Sequence, residues 1–254
     1  VLETFALLGV VAFMAGLIDA AVGGGGLIQI PGLFNILPNT APATLFGTNK
    51  FASICGTSVA ARQYASRIKM PWALVLPAAA CAFAFSFVGA TVVSYLRTEV
   101  IKPLILVLLI AMAIYTFKKK DFGHLHKPRE ITRREHILAA VLGAGIGFYD
   151  GLFGPGTGSF LAFLFIRFFA FDFLHAAAAS KIVNLATNLA ALFFFVPTGH
   201  ILWQYALAMA AFNMAGGFVG SRLAIHGGAK TIRVLFLVLA VVLIGKFGYD
   251  LFLK

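Results

Sequence analysis

Two stretches of this chain, 131 residues apart, share an uncommon combination: dense glycine and one aspartate among mostly apolar letters. Residues 147–160 read GFYDGLFGPGTGSF and residues 16–27 read GLIDAAVGGGGL. They align without gaps, placing Gly16 on Gly147, Asp19 on Asp150, Gly23 on Gly154 and Gly25 on Gly156. The same offset carries Leu33 and Phe34 onto Leu164 and Phe165, and Lys50 onto Lys181. It also carries Trp72 onto Trp203, the only two tryptophans, and Phe87-Val88-Gly89 onto Phe218-Val219-Gly220. Apolar identities could coincide in so biased a composition; two tryptophans, a lysine and an aspartate at one offset do not. The chain is a tandem duplication, and its fold must be assembled from two copies of one unit.

The unit is made for lipid. Hydrophobic residues are 61% of the chain, charged residues 11%, and the mean hydropathy is +0.95, whereas soluble domains carry about 25% charged residues. This points to an all-α polytopic membrane protein. A net charge of +11 would suit nucleic acid, but the basic residues gather in connecting loops, as in cytoplasmic loops of membrane proteins, and no nucleic-acid partner is implied. Cys55 and Cys81 both sit in apolar runs; they read as buried free thiols, not a disulfide framework.

A spanning helix needs roughly 20 apolar residues. Residues 5–22 supply one that ends at the glycine run 23–26, and 27–37 continue as a short apolar piece. Glycine at this density interrupts a helix, so two half-helices meeting at a break are expected. Segment 5–22 lacks a basic leader region and its repeat partner is internal, so it reads as a transmembrane helix and not a cleaved signal. Spans at 43–64, 71–96 and 100–117 follow. Residues 118–135, KKKDFGHLHKPREITRRE, hold seven of the twenty Lys and Arg and form a basic linker, in which His124 and His126 read as solvated. The second copy repeats the plan: 136–153, the glycine break, a short piece to 171, then 173–196, 201–223 and 231–253. The organisation is therefore repeat 1 at 1–117, linker at 118–135 and repeat 2 at 136–254. About eight transmembrane helices result, four per repeat, with the first of each broken.

An even number of spans points both repeats the same way. Because the short pieces fall below the ~17 residues needed to cross, the expectation is parallel repeats, with the linker and both termini in the cytoplasm. The loop bearing Arg62, Arg67 and Lys69 is then cytoplasmic too, while Arg97, Lys102, Arg167, Arg222, Lys230 and Arg233 fall opposite, an imperfect bias.

Four ionisable groups lie inside predicted spans: Asp19, Asp150, Lys50 and Lys181. Each should cost ~2.5–3.5 kcal/mol at a helix centre and so needs a partner or a wet cavity. The breaks supply the rest of a site. A half-helix starting after Gly26 or Thr157 presents unpaired N–H groups and the positive dipole end, and glycine lets an anion approach them. Candidate anion contacts are Lys50, Ser53 and Thr57 in the first copy and Lys181, Asn184 and Asn188 in the second, each set at i, i+3 and i+7 on one helix face. Backbone donors would come from Gly23, Gly24, Gly25, Gly26, Gly154, Gly156, Thr157 and Gly158. Asp19 and Asp150 are candidates for proton coupling. Two plainer readings stand beside these: Lys–Asp ion pairs that only neutralise charge, and aspartates that only brace the breaks. The GxxxG spacings at Gly143/Gly147/Gly151 and Gly216/Gly220 read as helix packing, and Trp72 and Trp203 as interfacial anchors. No nucleotide loop, hydrolase triad or HExxH is present, so no enzyme, cofactor or metal is implied.

With these residues in hand, the chain resembles the TauE/SafE family of sulfite and organosulfonate exporters, also called the 4-toluene sulfonate uptake permease group. The resemblance rests on AAVGGGGLIQIPGL, on GFYDGLFGPGTGSFLAF and on AAAASKIVNLATNLAAL. The copies differ where Pro155 replaces Gly24 and Thr157 replaces Gly26, so the halves could contact substrate unequally. The resemblance implies a multi-pass permease of a bacterial or archaeal inner membrane. It would move sulfite or an organosulfonate by alternating access, with a proton as coupling ion. A passive anion channel or uniporter is the alternative, separated by whether a gradient drives uphill accumulation.

Overall fold

The computed structural model describes residues 2–95, 107 and 131–227. Among them there is no strand, and eight helices follow in order: α1 Leu2–Val22, α2 Gly26–Ile36, α3 Pro42–Ala65, α4 Trp72–Val93, α5 Arg133–Leu152, α6 Thr157–Phe169, α7 Phe173–Phe195 and α8 Trp203–Ile225. Both glycine motifs break their helix, between Val22 and Gly26 and between Leu152 and Thr157. The expected spans 100–117 and 231–253 and most of the linker lie outside the described residues. Three helices, α1, α4 and α7, are long and apolar enough to cross a membrane. The linker ends earlier than expected. Thr132 caps α5 by accepting from the Arg134 N–H, and the Glu135 carboxylate takes the Thr132 N–H, a capping box that starts the helix at Arg133.

Burial is inverted relative to a protein in water. Lys50, Lys181, Asp150, Asn184 and Asn188 are buried, while Leu7, Val10, Leu76, Phe85, Phe193, Leu207 and Phe212 are exposed. Such a surface suits an apolar surround, and such an interior a polar function. Trp72 and Trp203 open α4 and α8 and are 47% and 45% exposed. Cys55 and Cys81 are free and half-buried, not fully buried as expected.

Contacts along the helices fix their directions. Phe5 of α1 packs on Tyr205 of α8 at 4.9 Å between ring centroids. Further along, a Cβ on Gly16 would meet the Asn213 carbonyl, and one on Gly220 would meet that of Leu17. So α1 and α8 run the same way. Gly47 abuts His200 and Gly56 abuts Asn213, which adds α3 to that direction. Equivalent contacts join α4 and α5, where Gly143, Gly147 and Gly151 press on the carbonyls of Ala78, Ala82 and Ser86. The GxxxG glycines thus sit at helix crossings, where a side chain would force the backbones apart.

Helix α7 runs against α3: Gly47 lies near Phe195, whereas Ala60 and Tyr64 cluster with Ala177 and Ala178. It runs with α4, since Leu74 and Val75 cluster with Ala176 and Ala179, and Phe87 packs on Phe194. Hence α1, α3 and α8 point one way and α4, α5 and α7 the other.

The counterparts α1 and α5 are therefore antiparallel, and the described helices of the two repeats are inverted, not parallel. The cause is the broken segment. Helix α2 doubles back along α1, with Gly32 against Val11 and Gly25 against Ala15, so α3 starts from the face where α1 started. The pair contributes no net crossing, whereas the expectation counted it as one. A second expectation falls with it: the starts of α1 and α5 lie at opposite faces, so the N-terminal end and the described end of the linker do not share a side.

The charge distribution then sharpens. Arg62, Arg67, Lys69, Arg133, Arg134, Arg167 and Arg222 all lie toward the face where α4, α5 and α7 begin. Among the described residues the opposite face has no Lys or Arg. Arg167 and Arg222 were expected there. They fall on the basic face because α6 turns back and α8 runs with α3. Arg97, Lys102, Lys230 and Arg233 lie outside the described residues.

Candidate functional site

The two breaks interlock. Gly23 adopts φ +86°, a left-handed conformation, and a Cβ there would lie 2.3 Å from the Gly158 carbonyl carbon. Only glycine at both positions allows this backbone contact. The Ser159 N–H donates to the Gly23 carbonyl at 3.0 Å, and its hydroxyl donates to the Val22 carbonyl at 2.7 Å, capping the end of α1 from the other repeat. The N–H groups of Leu27, Ile28 and Thr157 turn back onto Gly24, Gly25 and Gly154. Several first-turn donors expected to face an anion are thereby engaged within the protein.

Beside the crossed breaks lies a narrow polar cavity lined by Asp19, Gly23, Gly26, Asn49, Lys50, Ser53, Thr57, Asp150, Gly154, Thr157, Gly158, Asn184 and Asn188. Twelve of these were candidates from the sequence. Gly24, Gly25 and Gly156 shape the turns but do not line it, and Lys181 reaches it through Asp19. Lys50–Thr57 straddle the middle of α3, and Lys181–Asn188 the middle of α7, so the cavity sits at mid-depth.

Charge is exchanged between the repeats. Lys50 Nζ lies 2.6 Å from Asp150 Oδ2, and Lys181 Nζ lies 2.8 Å from Asp19 Oδ2. Lys181 also donates to the Asp19 main-chain carbonyl. The 131-residue offset maps one pair onto the other. Because α3 and α7 are antiparallel, Lys50 and Asn188 share one level and Thr57 and Lys181 another, about 10 Å apart at 1.5 Å per residue. The lower-numbered lysine's pair lies toward the non-basic face, the other toward the basic face. Environments differ in detail. Asp150 accepts from Lys50 on one oxygen and from the Thr157 hydroxyl, at 2.6 Å, on the other. Asp19 Oδ2 takes both Lys181 and the Thr57 hydroxyl, at 2.8 and 3.3 Å. The Asp19 side chain is 15% exposed and that of Asp150 2%. On the second helix, Asn188 donates to Asn184 Oδ1 at 2.9 Å, orienting both amides.

Matching residues across the two copies finds only what the copies share. Asn49 aligns with Ser180 and Ser159 with Ile28, so neither stood out. The adjacency of Asn49 to Lys50 was the available signal for the first. A further buried pair, Asn213 donating to Gln29 Oε1 at 2.8 Å, likewise has no polar counterpart in the other copy.

Comparison with known proteins bears on what this cavity serves. A family model described as sulfite exporter TauE/SafE matches residues 8–247. The chain is 36% identical over 238 residues to the probable membrane transporter protein ORF9 of Sinorhizobium sp, covering 94% of this chain and 90% of that one. It is 34% identical over 251 residues to the probable membrane transporter protein YfcA of Escherichia coli K12, covering 96% and 90%. A probable membrane transporter protein of Haemophilus influenzae is 28% identical over 253 residues, covering 98% and 96%. No solved structure matches the chain.

Proposed function

We propose, for a chain that belongs to the TauE/SafE family of membrane transporters, that it carries a small sulfur oxyanion, sulfite or an organosulfonate, together with a proton. The observation that carries this reading is the cavity's charge balance: two buried lysines from two repeats, each neutralised by the aspartate of the other. The lysines give an oxyanion its electrostatic partner, and Ser53, Thr57, Asn184 and Asn188 give it neutral hydrogen-bonding groups. As the four charges cancel, an anion entering alone would leave an uncompensated buried charge, which is costly in a low-dielectric interior. Protonating one aspartate removes that cost and frees its lysine for the anion. A singly charged substrate thus moves with one proton, and the transfer is electroneutral.

Asp19, more exposed and with one oxygen carrying both of its side-chain partners, is the carboxylate suited to take that proton. Asp150 is held on both oxygens and is the better structural anchor. The two ion pairs, at different levels and related by the repeat, suit alternate opening toward the two faces as one repeat moves against the other. The basic face is assigned to the cytoplasm, which puts the linker inside and the start of α1 outside.

The test is flux of sulfite and of methanesulfonate into proteoliposomes with and without an imposed pH gradient. Uphill accumulation driven by the gradient, with no dependence on membrane potential, is expected. Asp19→Asn, permanently neutral, should lose gradient-driven accumulation while retaining exchange of anion for anion. Flux that only ever runs downhill in the wild-type protein would make this a channel or uniporter and return the aspartates to neutralising lysines.

A further inference from the structure

Among the described residues, one cavity-lining side chain keeps a fully buried polar atom without a protein partner. Asn49 is 3% exposed, faces the same cavity as Lys50 one residue on, and its Oδ1 has no hydrogen-bond partner among the described residues. Buried amide oxygens are almost always satisfied, and leaving one bare destabilises the fold. The other cavity amides differ: Asn184 and Asn188 are tied to each other, and Asn184 also to Thr187. The duplicated position holds Ser180, whose hydroxyl is spent on the Ala177 carbonyl.

From this we infer that Asn49 selects among sulfur oxyanions by reading a hydroxyl. The inference rests on the proposed anion transport. An amide presents a donor and an acceptor side by side and can be turned to present either. The ion that satisfies both ends carries an oxygen to accept from Nδ2 and a hydroxyl to donate to Oδ1, as hydrogen sulfite does. An organosulfonate offers three acceptor oxygens and no donor, so Oδ1 stays bare when it is bound. A site built to pair both ends of a substrate discriminates against an analogue lacking one of them, because its own buried group is left unpaired. Asn49 thereby favours the singly protonated, hydroxyl-bearing anion, at the level of the Lys50–Asp150 pair.

The experiment compares binding of sulfite, at a pH where the singly protonated ion dominates, with binding of methanesulfonate to the purified full chain. Wild type, Asn49→Ala and Asn49→Ser are used, each with its melting temperature recorded; the serine variant copies the other repeat. Wild type should prefer hydrogen sulfite by about tenfold. Both variants should lose that preference, because each costs hydrogen sulfite more affinity than it costs methanesulfonate. Equal wild-type affinities, or a ratio unchanged in a folded variant, would overturn the role of Asn49 and leave anion transport standing. Binding of neither anion by wild type would overturn the transport reading and this inference with it.

Discussion

Replacing the buried pair Lys50–Asp150 one partner at a time and then together separates charge neutralisation from transport. At 2.6 Å and an effective dielectric of about 20, the attraction is ~6 kcal/mol. Removing two ions from water costs several kcal/mol each, so the pair as a whole contributes little net stability. One half of it is another matter. Asp150→Asn leaves the 3%-exposed Lys50 side chain without its counter-ion, a change that costs about 3–5 kcal/mol for buried pairs, and Lys50→Met strands Asp150 in the same way. The double variant Lys50→Met/Asp150→Asn carries no unpaired charge and should recover most of that loss. Reversible unfolding in mixed micelles measures all four proteins, and proteoliposome flux measures their activity. The expected result is a stable but inactive double variant, because one of the two lysines that partner the oxyanion is gone. A double variant that transports like wild type would refute the reasoning and make the pair structural only. A single variant as stable as wild type would refute the electrostatic premise.

The crossed breaks and the proposed orientation give two further tests. Gly158→Ala would place a Cβ 2.6 Å from Gly23 Cα, and Gly23→Ala adds a left-handed φ to a backbone clash. Each should destabilise by at least ~1–3 kcal/mol and reduce flux, read from thermal unfolding and proteoliposome assays, whereas Gly145→Ala meets open space and should be neutral. Ser66→Cys and Thr198→Cys, in the α3–α4 and α7–α8 turns on opposite faces, should label with an impermeant maleimide from opposite sides of the membrane, Thr198→Cys from outside the cell, after Cys55 and Cys81 are replaced by serine. Labelling of both from one side would reject the antiparallel arrangement.

Much of the site was legible in the sequence because the chemistry is conspicuous against its background. In a chain this apolar, Asp19, Asp150, Lys50 and Lys181 each need a reason to be buried, and duplication doubled the signal. The glycine runs marked the two breaks, and α2 and α6 begin within a residue of where they were expected. Ser53, Thr57, Asn184 and Asn188, taken from the i, i+3, i+7 stripes, line the cavity. What duplication could not mark was the residue the two copies do not share, and Asn49 and Ser159 were missed for that reason.

Composition and pattern along the chain determined that it is helical, repeated, membrane-embedded and broken at two glycine motifs, since each of those properties can be read without knowing which residues meet in space. Pairing and direction did not. Whether Lys50 meets Asp19 or Asp150, and whether the repeats are parallel or inverted, depends on α2 folding back along α1. That return is decided by contacts such as Gly32 on Val11 and Gly23 on Gly158, between residues whose separation in the chain says nothing of their distance in space. Helix direction is a property of the packed bundle, and only the tertiary structure decides it.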